Sequence, residues 1–316
     1  MTAALPPLGR LLRSPEEVGT YDAVYVSPRP YDAPLSCTGR LVTEALRGLR
    51  ALLVVVFGEA QEPQLFADQI CLGFPEIGSA GDEDPASETD LEEFSPSLVA
   101  EIAPRLEDIF RRARARSFLF PLGVGGHKDS IVAHEAALRT FHAGAGRDVY
   151  LYEERPEALV SGSVRVRLGQ LGARLPPAAF RVRGEGGLLR FLLQLQTVPR
   201  ARDAGKGLKR RLRRTRRSAR QWFKARAWKP SRALGPRLQP LVNVPGAKAL
   251  EPMHAVLTAV GASLGPRTAE RLFALSADHA RRLGASSWAE RYWLLLPERT
   301  GSFAAAHDLE EATALD

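Results

Sequence analysis

The sequence predicts an α/β fold, a Rossmann-like, doubly wound and mainly parallel sheet with a C-terminal extension, and three observations carry that prediction. Through residues 1–155, short apolar runs that read as strands alternate with stretches of helical periodicity. One of those runs, Ala51 to Phe57 (ALLVVVF), is apolar at every position, as a parallel strand covered on both faces would be. The order strand, helix, strand points to a right-handed crossover and a parallel sheet.

Taken in order, Tyr21 to Pro28 (YDAVYVSP) is a buried strand ending in a Ser-Pro turn. Leu41, Val42, Ala45, Leu46 and Leu49 then fall at helical spacing, and Gly48 and Gly58 bracket the ALLVVVF strand. From Glu76 to Glu93 eight acidic residues, with Gly, Ser and Pro between them, predict a loop. Helical spacing returns over Ser97 to Arg116, with Leu98, Ile102, Leu106, Ile109 and Phe110 on one face. Ser117 to Leu122 (SFLFPL) is a third strand, broken by Gly123, Gly125 and Gly126. Asp129 or Ser130 is placed to cap a helix running to about His142, and Val149 to Tyr152 is a fourth strand. Beyond Pro156 the pattern thins to helices over Leu188 to Leu195 and Thr268 to Leu283 and a late strand, Tyr292 to Leu296. The spans predict a core over 1–155, with 156–316 the C-terminal part of the same domain.

Composition narrows the function classes. Hydrophobic residues make up 45% and charged residues 25% of the 316-residue chain, an ordinary globular balance. Two cysteines, Cys37 and Cys71, build neither a disulfide framework nor a Cys-based zinc ribbon, which suits a reducing compartment. The N-terminal stretch has no apolar signal-peptide core, and the longest apolar run, seven residues, is far below the ~20 of a membrane helix. A cytoplasmic location is expected, with peripheral membrane contact as a variant. The net charge of +8 is local: thirteen Lys and Arg and no Asp or Glu lie between Lys206 and Arg232, so the remainder is mildly acidic. In that basic insertion (205–232), Leu208, Leu212, Ala219, Trp222 and Phe223 fall near helical spacing. Lys209, Arg210, Arg213, Arg217 and Trp222 are the candidates for contact with an anionic membrane surface, and less so with nucleic acid. A solvated insertion, or one docked on the acidic loop, is the plainer alternative.

Two turns follow predicted strands, where open parallel sheets bind ligands. The first runs from Ser27 through Arg29, Pro30, Tyr31, Asp32, Leu35 and Cys37 to Gly39. The second is Pro121-Leu122-Gly123-Val124-Gly125-Gly126-His127-Lys128-Asp129-Ser130. Together they resemble the PIG-L or LmbE-like de-N-acetylases, whose first strand is followed by His-Pro-Asp-Asp-Glu and a later one by Gly-Gly-His-x-Asp-His. Pro30, Asp32, Leu35, Cys37 and Gly39 fit the first pattern, and Gly125, Gly126, His127 and Asp129 fit the second. The resemblance covers residues 20 to 155 well and the C-terminal half only through Glu290-Arg291-Tyr292-Trp293.

The resemblance implies a zinc site with a water-activating carboxylate, and this chain departs from it at most chemical positions. The first ligand position holds Arg29, the general-base position Tyr31 and the final ligand position Ser130; Asp32 is the retained ligand, and His127 stands at the oxyanion position. A tyrosine, with a pKa of ~10, accepts a proton poorly near neutrality. An arginine in the site opposes a divalent ion: at ~4 Å and an effective dielectric of ~20, one unit charge against another is worth ~4 kcal/mol. The expectation is therefore no cofactor, with Arg29 in the metal's place beside Asp32 and Asp129, and a binding role for Arg29, Asp32, His127 and Asp129. A glycan (saccharide) or a glycosyltransferase is the implied partner, with the chain acting as a binding or scaffold protein. The alternative is an active, zinc-dependent de-N-acetylase with a rebuilt ligand set such as Asp32, His127 and Asp129, or His134. His134 and His142 otherwise read as ordinary helix residues, and Cys37 as a small packed residue.

Overall fold

The structure, a computed structural model, describes residues 8–59, 66–77, 88–141, 147–160, 162–176, 235–264, 266–286 and 288–297. In chain order its elements are β1 (Leu11–Leu12), β2 (Ala23–Ser27), α1 (Asp32–Leu46), β3 (Ala51–Phe57), β4 (Asp68–Phe74), α2 (Glu88–Ala113), β5 (Ser117–Pro121) and α3 (Lys128–Thr140). They continue as β6 (Asp148–Tyr152), α4 (Ser163–Gln170), β7 (Arg237–Asn243), α5 (Ala247–Leu264), α6 (Pro266–Arg282) and β8 (Glu290–Leu296). The strands form one sheet in the order β1-β4-β3-β2-β5-β6-β8-β7. From β1 to β6 every pairing is parallel; β8 then adds antiparallel to β6, and β7 antiparallel to β8. The result is a mixed, mostly parallel α/β sheet.

All seven residues of β3 and all five of β2 are buried, because helices cover both faces of the sheet. Alternation along β2 divides the core. Val24 and Val26 point into the layer built with Ile102, Leu106 and Ile109 of α2 and Ala133 of α3. Ala23 and Tyr25 point into the layer built with Leu41 of α1, Met253 and Val256 of α5 and Leu272 of α6. In the first layer Phe110 meets Phe118 edge-on at 5.0 Å and stacks on Phe120 at 5.7 Å.

Several expectations need correction. The acidic stretch is not a loop to its end, because α2 is already helical from Glu88. The expected caps Asp129 and Ser130 lie inside α3, whose N-cap is His127 with no side-chain cap bond. Five elements have no counterpart in the sequence reading: β1, only two residues long; β4, whose Asp68, Gln69 and Gly73 dilute its apolar character; β7, which carries Pro240 and lies on the sheet edge; and helices α4 and α5. The predicted helix over Leu188 to Leu195, His142 and the whole basic insertion, including Lys209, Arg210, Arg213, Arg217 and Trp222, lie outside the described residues. No helix among the described residues is long and apolar enough to cross a membrane.

Helix α1 bends at Cys37 (φ −121°, ψ 18°), and its second half restarts against a carboxylate. Glu290, at the start of β8, accepts the backbone N–H groups of Gly39 at 2.5 Å and Arg40 at 3.0 Å. It also accepts from Trp288 Nε1 (3.1 Å), Tyr292 Oη (2.7 Å) and Asn243 Nδ2 (3.2 Å). A Cβ on Gly39 would stand 2.5 Å from Pro245 Cγ and 3.0 Å from Glu290 Oε1, so only glycine admits this approach. Because β8 runs antiparallel to β6, Glu290 lies beyond the carboxyl end of β6, on the same sheet edge as the two turns singled out in the sequence.

Candidate functional site

Chain direction fixes where a cleft opens. From β2 the chain adds β3 and β4 to one side, then β5 and β6 to the other, so the carboxyl ends of β2 and β5 flank the reversal. The loops leaving β2, β5 and β6 therefore meet at one edge.

In the β2 loop, Ser27 holds the turn: its hydroxyl donates to the Arg29 carbonyl and accepts the Ala33 N–H at 3.0 Å. The Arg29 N–H donates to Asp32 Oδ2 at 3.2 Å. The Arg29 guanidinium then turns toward both carboxylates, with Nε 3.1 Å from Asp129 Oδ2 and 3.8 Å from Asp32 Oδ2. These are ion pairs by distance, yet the buried Nε–H lacks the alignment of a hydrogen bond to either. Asp129 is 3% exposed, and its Oδ1 accepts the Ile77 N–H at 2.9 Å. Burial pushes the Asp32 carboxyl up to about 6; Arg29 pulls it down, and Glu157 pushes it further up.

His127 and Glu157 form the second half of the site. His127 Nε2 lies 3.0 Å from Glu157 Oε1, with the imidazole one third exposed and the carboxylate nearly buried. Glu157 follows β6 and packs over Gly125, where φ is +87° and a Cβ would stand 2.4 Å from Glu157 Cγ. Tyr31 is half-buried immediately before α1, and Ser130 is buried in the first turn of α3. Below them Glu154 holds the glycine turn, accepting Gly123 N–H at 2.7 Å and Val124 N–H at 3.1 Å. Burial raises its carboxyl to about 8, against the pull of those two N–H groups.

Arg29, Asp32, Asp129 and His127 thus share one edge. Their neighbours Glu154 and Glu157, in the run Glu153 to Glu157 straight after β6, were not singled out in the sequence. The signal was present: five residues, four of them charged, directly follow a buried strand at a ligand-binding edge.

His127 is turned to Glu157, while His134 Nδ1 lies 2.7 Å from the Pro121 carbonyl in full burial, which with Arg167 nearby holds the ring neutral down to about 3. Among the described residues no three His, Cys, Asp or Glu side chains gather as a metal would need. Arg29, a permanent cation, stands against Asp129 and Asp32.

No protein-family model and no curated protein sequence matches the chain. Solved structures do. The A40926 pseudoaglycone deacetylase Dbv21 superposes with a TM-score of 0.50 at 16% identity, over 87% of this chain and 97% of that one. A deacetylase of the teicoplanin biosynthesis pathway gives 0.53 at 16%, over 88% and 99%. The zinc-inhibited form of teicoplanin deacetylase Orf2 gives 0.51 at 15%, again over 88% and 99%. At such identities the likeness is one of fold: this chain shares the α/β architecture of these deacetylases over nearly its whole length.

Proposed function

We propose that this chain is a degenerate member of the LmbE/PIG-L type of deacetylase, with the doubly wound core of that group, which binds a glycan in the β2–β5 cleft without hydrolysing it. The carrying observation is Arg29, whose Nε stands 3.1 Å from Asp129 and 3.8 Å from Asp32. A guanidinium there neutralises the carboxylates a divalent ion would use, and it never gives up its charge near neutrality. What remains at the rim suits sugar hydroxyls: a partly exposed imidazole, a half-buried tyrosine and carboxylates. The superposition on the teicoplanin and A40926 pseudoaglycone deacetylases supports the group. Elemental mass spectrometry after dialysis, with and without added zinc, is expected to find metal far below one ion per chain. An N-acetylglucosamine conjugate is expected to bind without releasing acetate. Stoichiometric zinc, or acetate release by the purified chain, overturns the reading.

One observation favours a second reading, hydrolysis at a rebuilt site. The His127–Glu157 pair, 3.0 Å apart, is an imidazole oriented by a carboxylate, the usual arrangement of a general base. That reading requires acetate release that is abolished in His127→Ala and retained in Ser130→Ala.

A further inference from the structure

The segment that leaves β6 is held from two sides, and only one of them faces the cleft. Glu154 and Glu157 turn toward the glycine turn after β5, where Glu154 accepts the Gly123 and Val124 N–H groups and Glu157 meets His127. The other side meets α6. On that helix Ser276, His279 and Arg282 follow one another at a spacing of three, so they share one face. Each reaches a different point of the same short segment. Arg155 Nη1 donates to Ser276 Oγ at 3.4 Å, His279 Nε2 lies 3.9 Å from Glu153 Oε2, and Arg282 Nη2 donates to the Leu159 carbonyl at 3.0 Å.

The three contacts differ in what they can transmit. The Ser276 bond is long, and the His279 approach is beyond hydrogen-bond distance. Arg282 makes the strong one, a bond from a permanent cation to a carbonyl. Leu159 is fully buried, and a buried carbonyl left without a donor is costly, so loss of the guanidinium drives this residue toward water. Leu159 ends a single turn of 3-10 helix, Glu157–Leu159. That turn is stiff. Ala158 N–H donates to the Glu154 carbonyl at 2.8 Å, Leu159 N–H to that of Pro156 at 3.1 Å and Val160 N–H to that of Glu157 at 3.1 Å. A displacement of Leu159 is therefore carried to Glu157 in the same turn, whose carboxylate stands 3.0 Å from His127 Nε2.

We propose that Arg282 is a positioning residue: from α6 it fixes the Glu157 turn, and through Glu157 it sets the orientation of the His127 imidazole. Helix α6 thus shapes the cleft from behind, through a loop whose two sides serve two different neighbours. The consequence for ligand affinity rests on the cleft being the binding site; the positioning itself does not.

The test uses the full chain without ligand, so failure of the brace and failure of glycan binding are read separately. The ring signals of His127 are assigned by NMR from their loss in His127→Ala and followed at one fixed pH. Glu157→Ala gives their positions once the carboxylate is gone. Arg282→Ala is expected to shift them toward those positions. Arg282→Lys, which keeps a cationic donor for the Leu159 carbonyl, is expected to leave them near the unsubstituted ones. The control is Arg281→Ala, which removes an arginine paired with the same Asp278 at 3.6 Å but with its side chain 68% exposed; no shift is expected. Should Arg282→Ala fail to fold, Arg282→Gln, too short to reach the carbonyl, gives the same comparison. Unmoved signals in folded Arg282→Ala or Arg282→Gln, an equal shift in Arg281→Ala or Arg282→Lys, or no shift in Glu157→Ala would each overturn the proposal and leave Arg282 as a packing residue of α6.

Discussion

Two carboxylate clusters stand on the same edge of the sheet and are built in opposite ways. Around Glu290 every acceptor position is filled: five donors from α1, β7, β8 and the loop before β8 converge on one carboxylate that is 1% exposed. Around Arg29 the partners are near but poorly aligned, the guanidinium Nε–H makes no hydrogen bond, and solvent reaches both Arg29 and Asp32. A saturated cluster gains nothing from a ligand, since each partner is already bound. An unsaturated one gains by acquiring partners. The first therefore joins the kinked α1 to β8, and the second has partners still to gain, as the proposed binding role requires.

That contrast predicts where substitution hurts most. Glu290→Gln replaces one acceptor oxygen with an NH₂ that faces N–H donors, and it removes the charge that caps the second half of α1. We expect a loss of about 3 kcal/mol or more, read as a fall in Tm of roughly 6 to 12 °C. A smaller loss would mean that the kink at Cys37 is held by packing alone, and the contrast between the clusters would narrow.

Gly125→Ala comes next. At φ +87° with Glu157 Cγ 2.4 Å from the new methyl, the turn must move, at about 1–3 kcal/mol. The displaced Glu157 releases His127, so glycan affinity is expected to fall together with thermal stability. A loss of stability with unchanged affinity would remove the His127–Glu157 pair from the binding surface.

The pH profile separates Glu154 from both clusters. Its carboxyl is raised from 4.5 to about 8, so within that window the folded chain holds a proton that the unfolded chain has lost. Stability therefore falls as pH rises through the window and levels off above it. Asp32, raised from 3.8 to about 6, acts in the same direction at lower pH, whereas His134, lowered from 6.5 to about 3, acts oppositely below 6.5. Between pH 6.5 and 8 the slope belongs to Glu154, at up to about 1.4 kcal/mol per pH unit. Glu154→Gln is expected to flatten it in denaturant titrations across that range.

The two clusters also differ in how much of them the sequence revealed. Arg29, Asp32, His127 and Asp129 were legible because each lies within ten residues of a buried strand whose apolar run is unmistakable, and because the glycines around them mark tight turns. Glu290 was legible only as part of a resemblance. Its donors Gly39, Arg40 and Asn243 lie up to 251 positions away in the chain, and no local pattern encodes a contact that β8 creates by pairing antiparallel with β6. Strands β2, β3, β5 and β6 declared themselves through their apolar runs. β4 and β7, with polar residues, a glycine or a proline interrupting them, acquire strand character from their neighbours rather than from their own residues.

Arg29→Ala is the smallest effect expected and the most direct test of the difference. The guanidinium is 22% exposed and unaligned with its partners, so its removal is expected to cost less than Glu290→Gln, on the order of 1–2 kcal/mol. Its loss leaves Asp129 still bonded to the Ile77 N–H, and Asp32, already pushed up to about 6 by burial, free to take a proton. Without the arginine's pull the Asp32 carboxyl should rise further, a shift that carboxyl NMR resolves directly. A loss approaching that of Glu290→Gln would make Arg29 as structural as the saturated cluster. The same edge of the sheet would then hold two braces and no binding site.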